Sequence, residues 1–96
     1  MRHAHLIIAY RTWRRYFAGE RARKTREDYR QCHRRFRAVM PKEFDRRTVM
    51  QWRDDMLREY SRSYVRQHVS ALRTITKKAA TITGHRELEQ LFASIP

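Results

Sequence analysis

Cysteine, glycine and proline are all scarce in this chain. Its 96 residues hold one cysteine, Cys32, two glycines, Gly19 and Gly84, and two prolines, Pro41 and Pro96. A lone cysteine excludes an intramolecular disulfide and gives no sign of an oxidising compartment. Strand-like alternation, tandem repeats and low-complexity tracts are missing too, which leaves helices as the reading throughout. No long apolar run exists. The stretch Leu6, Ile7, Ile8, Ala9 is followed by Arg11, Arg14 and Arg15, so it is neither a membrane span nor a signal peptide. A cytoplasmic protein with no membrane partner is therefore expected. Acidic residues are outnumbered as well, 10 against 23 Lys and Arg, for a net charge of +13. Self-repulsion of that size is relieved by a polyanion, so nucleic acid is the leading partner class.

What is present is apolar enough to fold. Hydrophobic residues make up 41% of the chain and include Trp13, Trp52, Phe17, Phe36, Phe44 and Phe92, too many for a disordered basic tail. The length fits one domain, and a helical bundle is the economical way to bury a modest core. The first helix is expected over about residues 6–18, with Leu6, Tyr10, Trp13 and Phe17 on one face, ending at Gly19. A second opens at Thr25 as its N-cap, carries Tyr29, Cys32, Phe36 and Val39 or Met40, and stops at Pro41. Asp45 caps a third, with Phe44 stapled on Val49 and a stripe of Val49, Trp52, Met56 and Tyr60. Ser63 caps the fourth, whose Val65, Val69, Leu72, Ile75 or Thr76 and Ala79 run to Gly84. A short fifth helix covers roughly residues 86–93. The expected fold class is all-α, a four-helix orthogonal bundle plus a short C-terminal fifth helix.

The charge is unevenly spread. Residues 1–24 carry +6, residues 25–41 carry +3 and residues 42–62 only +1, whereas residues 63–84 carry +4 with no acid at all. A face that served only solvation would mix both signs, so an acid-free helix beside a balanced one suggests a directional surface. On the fourth helix Arg66, Ser70, Arg73 and Lys77, with Gln67 and Lys78 beside them, lie opposite the apolar stripe. They combine phosphate clamps with groove-reading side chains. The second helix has Arg26, Arg30, Arg34 and Arg37 on its outer face, preceded by Arg21, Arg23 and Lys24. Helix N-termini at Thr25 and Ser63 would add free amides and a hydroxyl for phosphate.

Other constellations fail. His3, His5, His33, His68 and His85 show no metal-ligand spacing, and the neighbours Cys32 and His33 point apart. Asp54 and Asp55 are adjacent on a helix, which turns them different ways, so an ion pair with Arg58 is a better account than acid–base work. Tyr10, Tyr16, Tyr29, Tyr60 and Tyr64 have no flanking base, and no glycine-rich phosphate loop exists. No catalytic residue, metal, cofactor or small-molecule substrate is expected. Trp13, Trp52 and Cys32 read as core residues.

The order of features resembles the N-terminal core-binding (SAM-like) domain of the tyrosine recombinases, the phage integrase family. Thr25 to Tyr29 with Phe36 looks like that domain's Thr-x-x-x-Tyr opening of its second helix. Phe44 and Asp45 through Trp52 resemble the approach to its third helix and that helix itself. Ser63 followed by Val69, Ser70, Ala71, Leu72 and Arg73 resembles the helix that begins with Ser or Thr and contains a Leu-Ser-x-Leu-Arg-like segment. Where the family has an Asn-Pro pair, this chain has Gly84, His85, Arg86 and Glu87. The tail from Phe92 to Pro96 looks like the start of the family's interdomain linker.

The resemblance implies a four-helix core plus a short fifth helix that forms one half of a clamp around recombination-site DNA, with the second and fourth helices facing the major groove. Thr25, Ser63, Arg66, Gln67, Ser70 and Arg73 would be contacts. It also implies that strand cutting belongs to a separate C-terminal domain, with an Arg, His-x-x-Arg and Tyr pattern, which this chain does not contain. The whole expected interface is Arg23, Lys24, Thr25, Arg26, Arg30, Arg34, Ser63, Arg66, Gln67, Ser70, Arg73 and Lys77, on double-stranded DNA. The chain would then be a DNA-binding fragment without enzymatic activity, taken from a bacterial or phage-encoded, nucleoid-associated enzyme that breaks and rejoins DNA. It would oligomerise only on DNA within the full-length protein. A stand-alone basic helical transcription regulator or nucleoid protein is the alternative, and an RNA-binding basic bundle a third reading.

Overall fold

A computed structural model describes residues 1–95. Pro96, the last residue of the tail likened to an interdomain linker, lies outside the described residues. Five α-helices follow one another: α1 (His3–Tyr16), α2 (Arg23–Val39), α3 (Arg46–Glu59), α4 (Arg62–Thr83) and α5 (Arg86–Gln90). This is the all-α fold expected, a four-helix core with a short C-terminal fifth helix. Among the described residues no helix is long and apolar enough to cross a membrane.

The apolar periods place most of the core, while five helix ends differ from the sequence expectation. Helix α1 starts three residues early, pinned by Met1, whose backbone exchanges hydrogen bonds with Phe44 (2.7 and 2.8 Å). It ends before Gly19: Phe17 leaves helical geometry with φ −128° and ψ −25°, and Gly19 sits inside a 3₁₀ turn, Ala18–Glu20. Helix α2 begins at Arg23, capped by Ala22 in extended backbone with no side-chain bond, so Thr25 is its third residue and not its cap. In α4 the cap is Ser61, whose Oγ accepts from the Tyr64 amide at 3.2 Å, and Ser63 falls inside the first turn. Asp45 does cap α3: Oδ1 accepts from the Thr48 amide at 3.0 Å while Thr48 Oγ1 accepts from the Asp45 amide at 3.2 Å. Those reciprocal bonds satisfy two amides that a helix start leaves open, and the Thr48 amide, with the Thr48 hydroxyl beside it, holds the Asp45 carboxyl below its ordinary pKa. Phe44 and Val49, the pair expected to staple that start, are both buried.

Helix α4 is the centre of the bundle, touching α1 most extensively and α2, α3 and α5 as well. Its Val65, Val69, Leu72, Ile75, Thr76 and Ala79 are all buried, as is Trp13 on α1. Phe36 gathers the remaining elements: its ring meets Trp52 at 4.8 Å, Phe92 at 5.3 Å and Phe44 at 6.3 Å, each edge to face, the favoured aromatic geometry. Between α1 and α2, Trp13 stacks on Tyr29 and Tyr10 on His33. His33 is buried with Nε2 3.0 Å from the Leu6 carbonyl. Burial lowers its pKa, a shift reinforced by Arg37 and opposed by that bond. Cys32 is buried too, and burial raises its thiol pKa, which makes it inert.

Helix α5 is shorter than expected, giving way after Gln90 to turns in which Leu91, Phe92 and Ile95 are buried. Arg46 at the start of α3 holds this segment by donating to the carbonyls of Gln90 (3.0 Å) and Ala93.

Two stability predictions arise from these details. Gly84 ends α4 at φ 74°, a backbone that disfavours any side chain, so Gly84→Ala should cost about 1 kcal/mol. Gly19 has no positive φ and open space where a Cβ would stand, so Gly19→Ala should be neutral or slightly stabilising. Urea denaturation of the two variants checks the contrast. The second prediction concerns pH. Because the folded state keeps the His33 pKa low, the unfolded chain takes up the proton first. Stability is therefore full above the ordinary histidine pKa of about 6.5 and is lost as pH falls through and below it. His33→Gln should flatten that fall between about pH 7 and 5 while lowering stability at pH 8.

Candidate nucleic-acid interface

An α-helix packed on one face leaves the other to solvent, and on α4 that outer face is built from five residues with no acid among them. Ser63, Arg66, Gln67, Ser70 and Lys77 are all exposed, and their spacing sets them on one side, opposite Leu72. Among the described residues neither Arg66 nor Lys77 pairs with a carboxylate. Lys78, at the flank, lies over the Phe17 ring at 5.4 Å.

Arg73 belongs elsewhere, which corrects the sequence expectation. Its half-buried guanidinium turns to the C-terminal segment, where Nε donates to the Phe92 carbonyl at 3.1 Å and Nη2 to the Ile95 carbonyl. The cause is spatial. Burial of Phe92 and Ile95 beside α4 leaves their carbonyls in need of donors, and Arg73 supplies two. Those donors are taken up by the fold.

On α2 the residues Arg23, Lys24, Arg26, Arg30 and Arg34 are exposed, with Arg30 3.5 Å from Glu27. Arg23 and Lys24 occupy the first helical turn, where no acid accompanies them. Cations there oppose the helix dipole, an arrangement that an incoming anion would relieve. Thr25 is half-buried. With its capping role lost to Ala22 and Ser63's to Ser61, neither hydroxyl is the helix-start group that was expected.

Sequence spacing missed Arg35. It sits on the flank of α2 nearest α4 and donates to the Tyr64 hydroxyl at 3.0 Å. With His3, Gln31, Arg34 and Arg37 it also lines an open cleft of about 780 Å³. The only hint in the sequence is that Arg34 and Arg35 are adjacent, which sends their side chains about 100° apart around the helix.

Elsewhere the chemistry is structural. Asp54 pairs with Arg53 at 3.0 Å and Asp55 with Arg58 at 3.6 Å, the second of these being the expected partner. Among the described residues no three His, Cys, Asp or Glu side chains gather as metal ligands would. Trp13, Trp52 and Cys32 are core residues, as expected. In comparisons with known proteins, no family model, no curated protein and no solved structure matches this chain.

The contrast between Arg66 and Arg73 is testable without any ligand. Replacing a guanidinium that donates two bonds to half-buried carbonyls costs about 2 kcal/mol. Arg73→Leu should therefore melt measurably earlier by circular dichroism. Arg66→Leu should stay within about 0.5 kcal/mol of the parent.

Proposed function

We propose that this chain binds double-stranded DNA through the outer faces of α4 and α2, as the core-binding domain of a site-specific tyrosine recombinase that holds a separate catalytic domain on its site. The observation that carries the reading is α4 itself: 22 residues without an acid, one face buried and the other presenting Arg66, Gln67, Ser70 and Lys77 to solvent. Such a surface suits a phosphate backbone and, through Arg and Gln, the edges of guanine and adenine in a major groove. The net charge of +13 and the uncompensated cations at the start of α2 support the same partner. The recombinase assignment rests on the order of the Thr25, Phe44 and Ser63 stretches, and the four long helices with a short fifth agree with what that resemblance implies.

If about six phosphates are contacted, the log of the binding constant should fall against the log of salt concentration with a slope near −5. Arg66→Ala and Lys77→Ala should each make the slope shallower by about 1. A flat salt profile on duplex DNA would sink the reading. Gel filtration with a titration of single and paired half-sites separates the recombinase module, which binds one half-site weakly as a monomer, from a dimeric regulator.

A further inference from the structure

Where the end of α2, the second half of α3 and the first turns of α4 meet, the chain leaves a groove of about 450 Å³ lined by Arg35, Trp52, Met56, Tyr60, Tyr64 and His68. Tyr60 was expected on the buried stripe of α3, yet it is 46% exposed. Its ring stacks on Tyr64 at 4.6 Å and 25°, and Tyr64 in turn lies 4.3 Å from His68. The groove therefore holds a short column of π-faces with an accessible end.

His68 adds a second, independent feature. It is only 3% exposed, and its Nδ1 lies 3.0 Å from the Tyr64 carbonyl. A carbonyl only accepts, so Nδ1 is the donor, and in that tautomer Nε2 is left as an acceptor. That Nε2 is buried and has no hydrogen-bond partner among the described residues, which is a costly state for a polar atom. A ligand that stacks on the tyrosines and offers an N–H would satisfy both features.

The two ends of the groove differ in charge. At the α2 end stands Arg35, beside the cleft that also holds Arg34 and Arg37. The adjoining depression on the α3 side carries Asp55 and Glu59. The arginine end is the one that favours the approach of a polyanion.

We propose that this groove receives one unpaired nucleobase of a DNA strand whose phosphates run along α2, the base stacking on Tyr60 in the place that the Tyr64 ring vacates and a ring or amino N–H turning toward His68 as the Met56 side chain gives way. The inference rests on the DNA-binding reading above and specifies it further. A paired base inside a duplex has both faces covered, so the groove discriminates a frayed, overhanging or mismatched nucleotide from continuous duplex.

The test uses the whole chain and three DNAs of one sequence: a blunt duplex, the same duplex with one unpaired terminal adenine, and that duplex with an abasic site in place of the adenine. The last two carry the same phosphates, so they differ only in the base. Adenine should bind about tenfold tighter than the abasic form, the size of one base–aromatic stack. Tyr60→Ala, at an exposed helix end, should erase the difference while leaving blunt-duplex affinity unchanged. Equal binding of the adenine and abasic DNAs, with the blunt duplex bound, overturns the groove and leaves the duplex reading standing. An adenine preference that survives both Tyr60→Ala and Tyr64→Leu also overturns it, by placing the base elsewhere. Failure to bind any of the three at low salt removes the DNA reading and the groove with it.

Discussion

The buried stripe of α4 carries the structure, since Val65, Val69, Leu72, Ile75 and Ala79 are the surface against which every other helix is set. Burial of such side chains contributes about 1.5–3 kcal/mol each relative to exposure. The same helix holds the candidate interface one residue further along: Arg66 follows Val65, Ser70 follows Val69, and Lys77 follows Thr76. A rigid helix fixes the outer row as firmly as the inner one. The core thus sets the position of the polar face, and any slip of α4 in its packing would move all its basic groups together.

Charge and stability pull in opposite directions across the molecule. The exposed basic groups of α2 and α4 repel one another, and those in the first turn of α2 oppose its dipole. Where the fold needs donors, arginine supplies them: Arg46 and Arg73 donate to four carbonyls of the C-terminal segment. The acids are placed where they serve stability, as in the Asp45 cap and the pairs Arg53–Asp54 and Arg58–Asp55. Arginine therefore does two separate jobs here, and only exposure and hydrogen bonding tell them apart.

That division explains what could be read from the sequence. Apolar spacing located every α-helix and most of the large core residues, because burial of one face follows directly from a 3.6-residue repeat. The helix starts were less legible. Ser61 and Ser63 are chemically equivalent caps two residues apart, and which of them leaves helical backbone is decided by the path of the α3–α4 connection. Ala22 offers no capping side chain, yet it starts α2 in preference to Thr25. Arg73 has the same helical phase as an interface residue, and its partners lie 19 and 22 residues away at the C-terminus. Tyr60 follows the apolar period of α3, but it falls at the helix end, where the bundle no longer covers it.

The placement of Arg35 bears on how α2 can meet a polyanion at all. Arg26, Arg30 and Arg34 recur every fourth residue down one flank, while Arg35 follows Arg34 about 100° around the axis. Arg35 lines both the open cleft beside His3 and the aromatic groove beside Tyr64. It therefore stands at the crest between the two flanks, with its position held by the bond to the Tyr64 hydroxyl. A straight row of arginines along one flank would follow a single groove of a duplex. A crest with charge on both sides instead favours a strand whose phosphates run along the Arg34 flank while a base turns over the crest toward the tyrosines. Arg35 is the residue on which those two arrangements diverge, because it is the only arginine of α2 tied to α4 by a side-chain bond among the described residues.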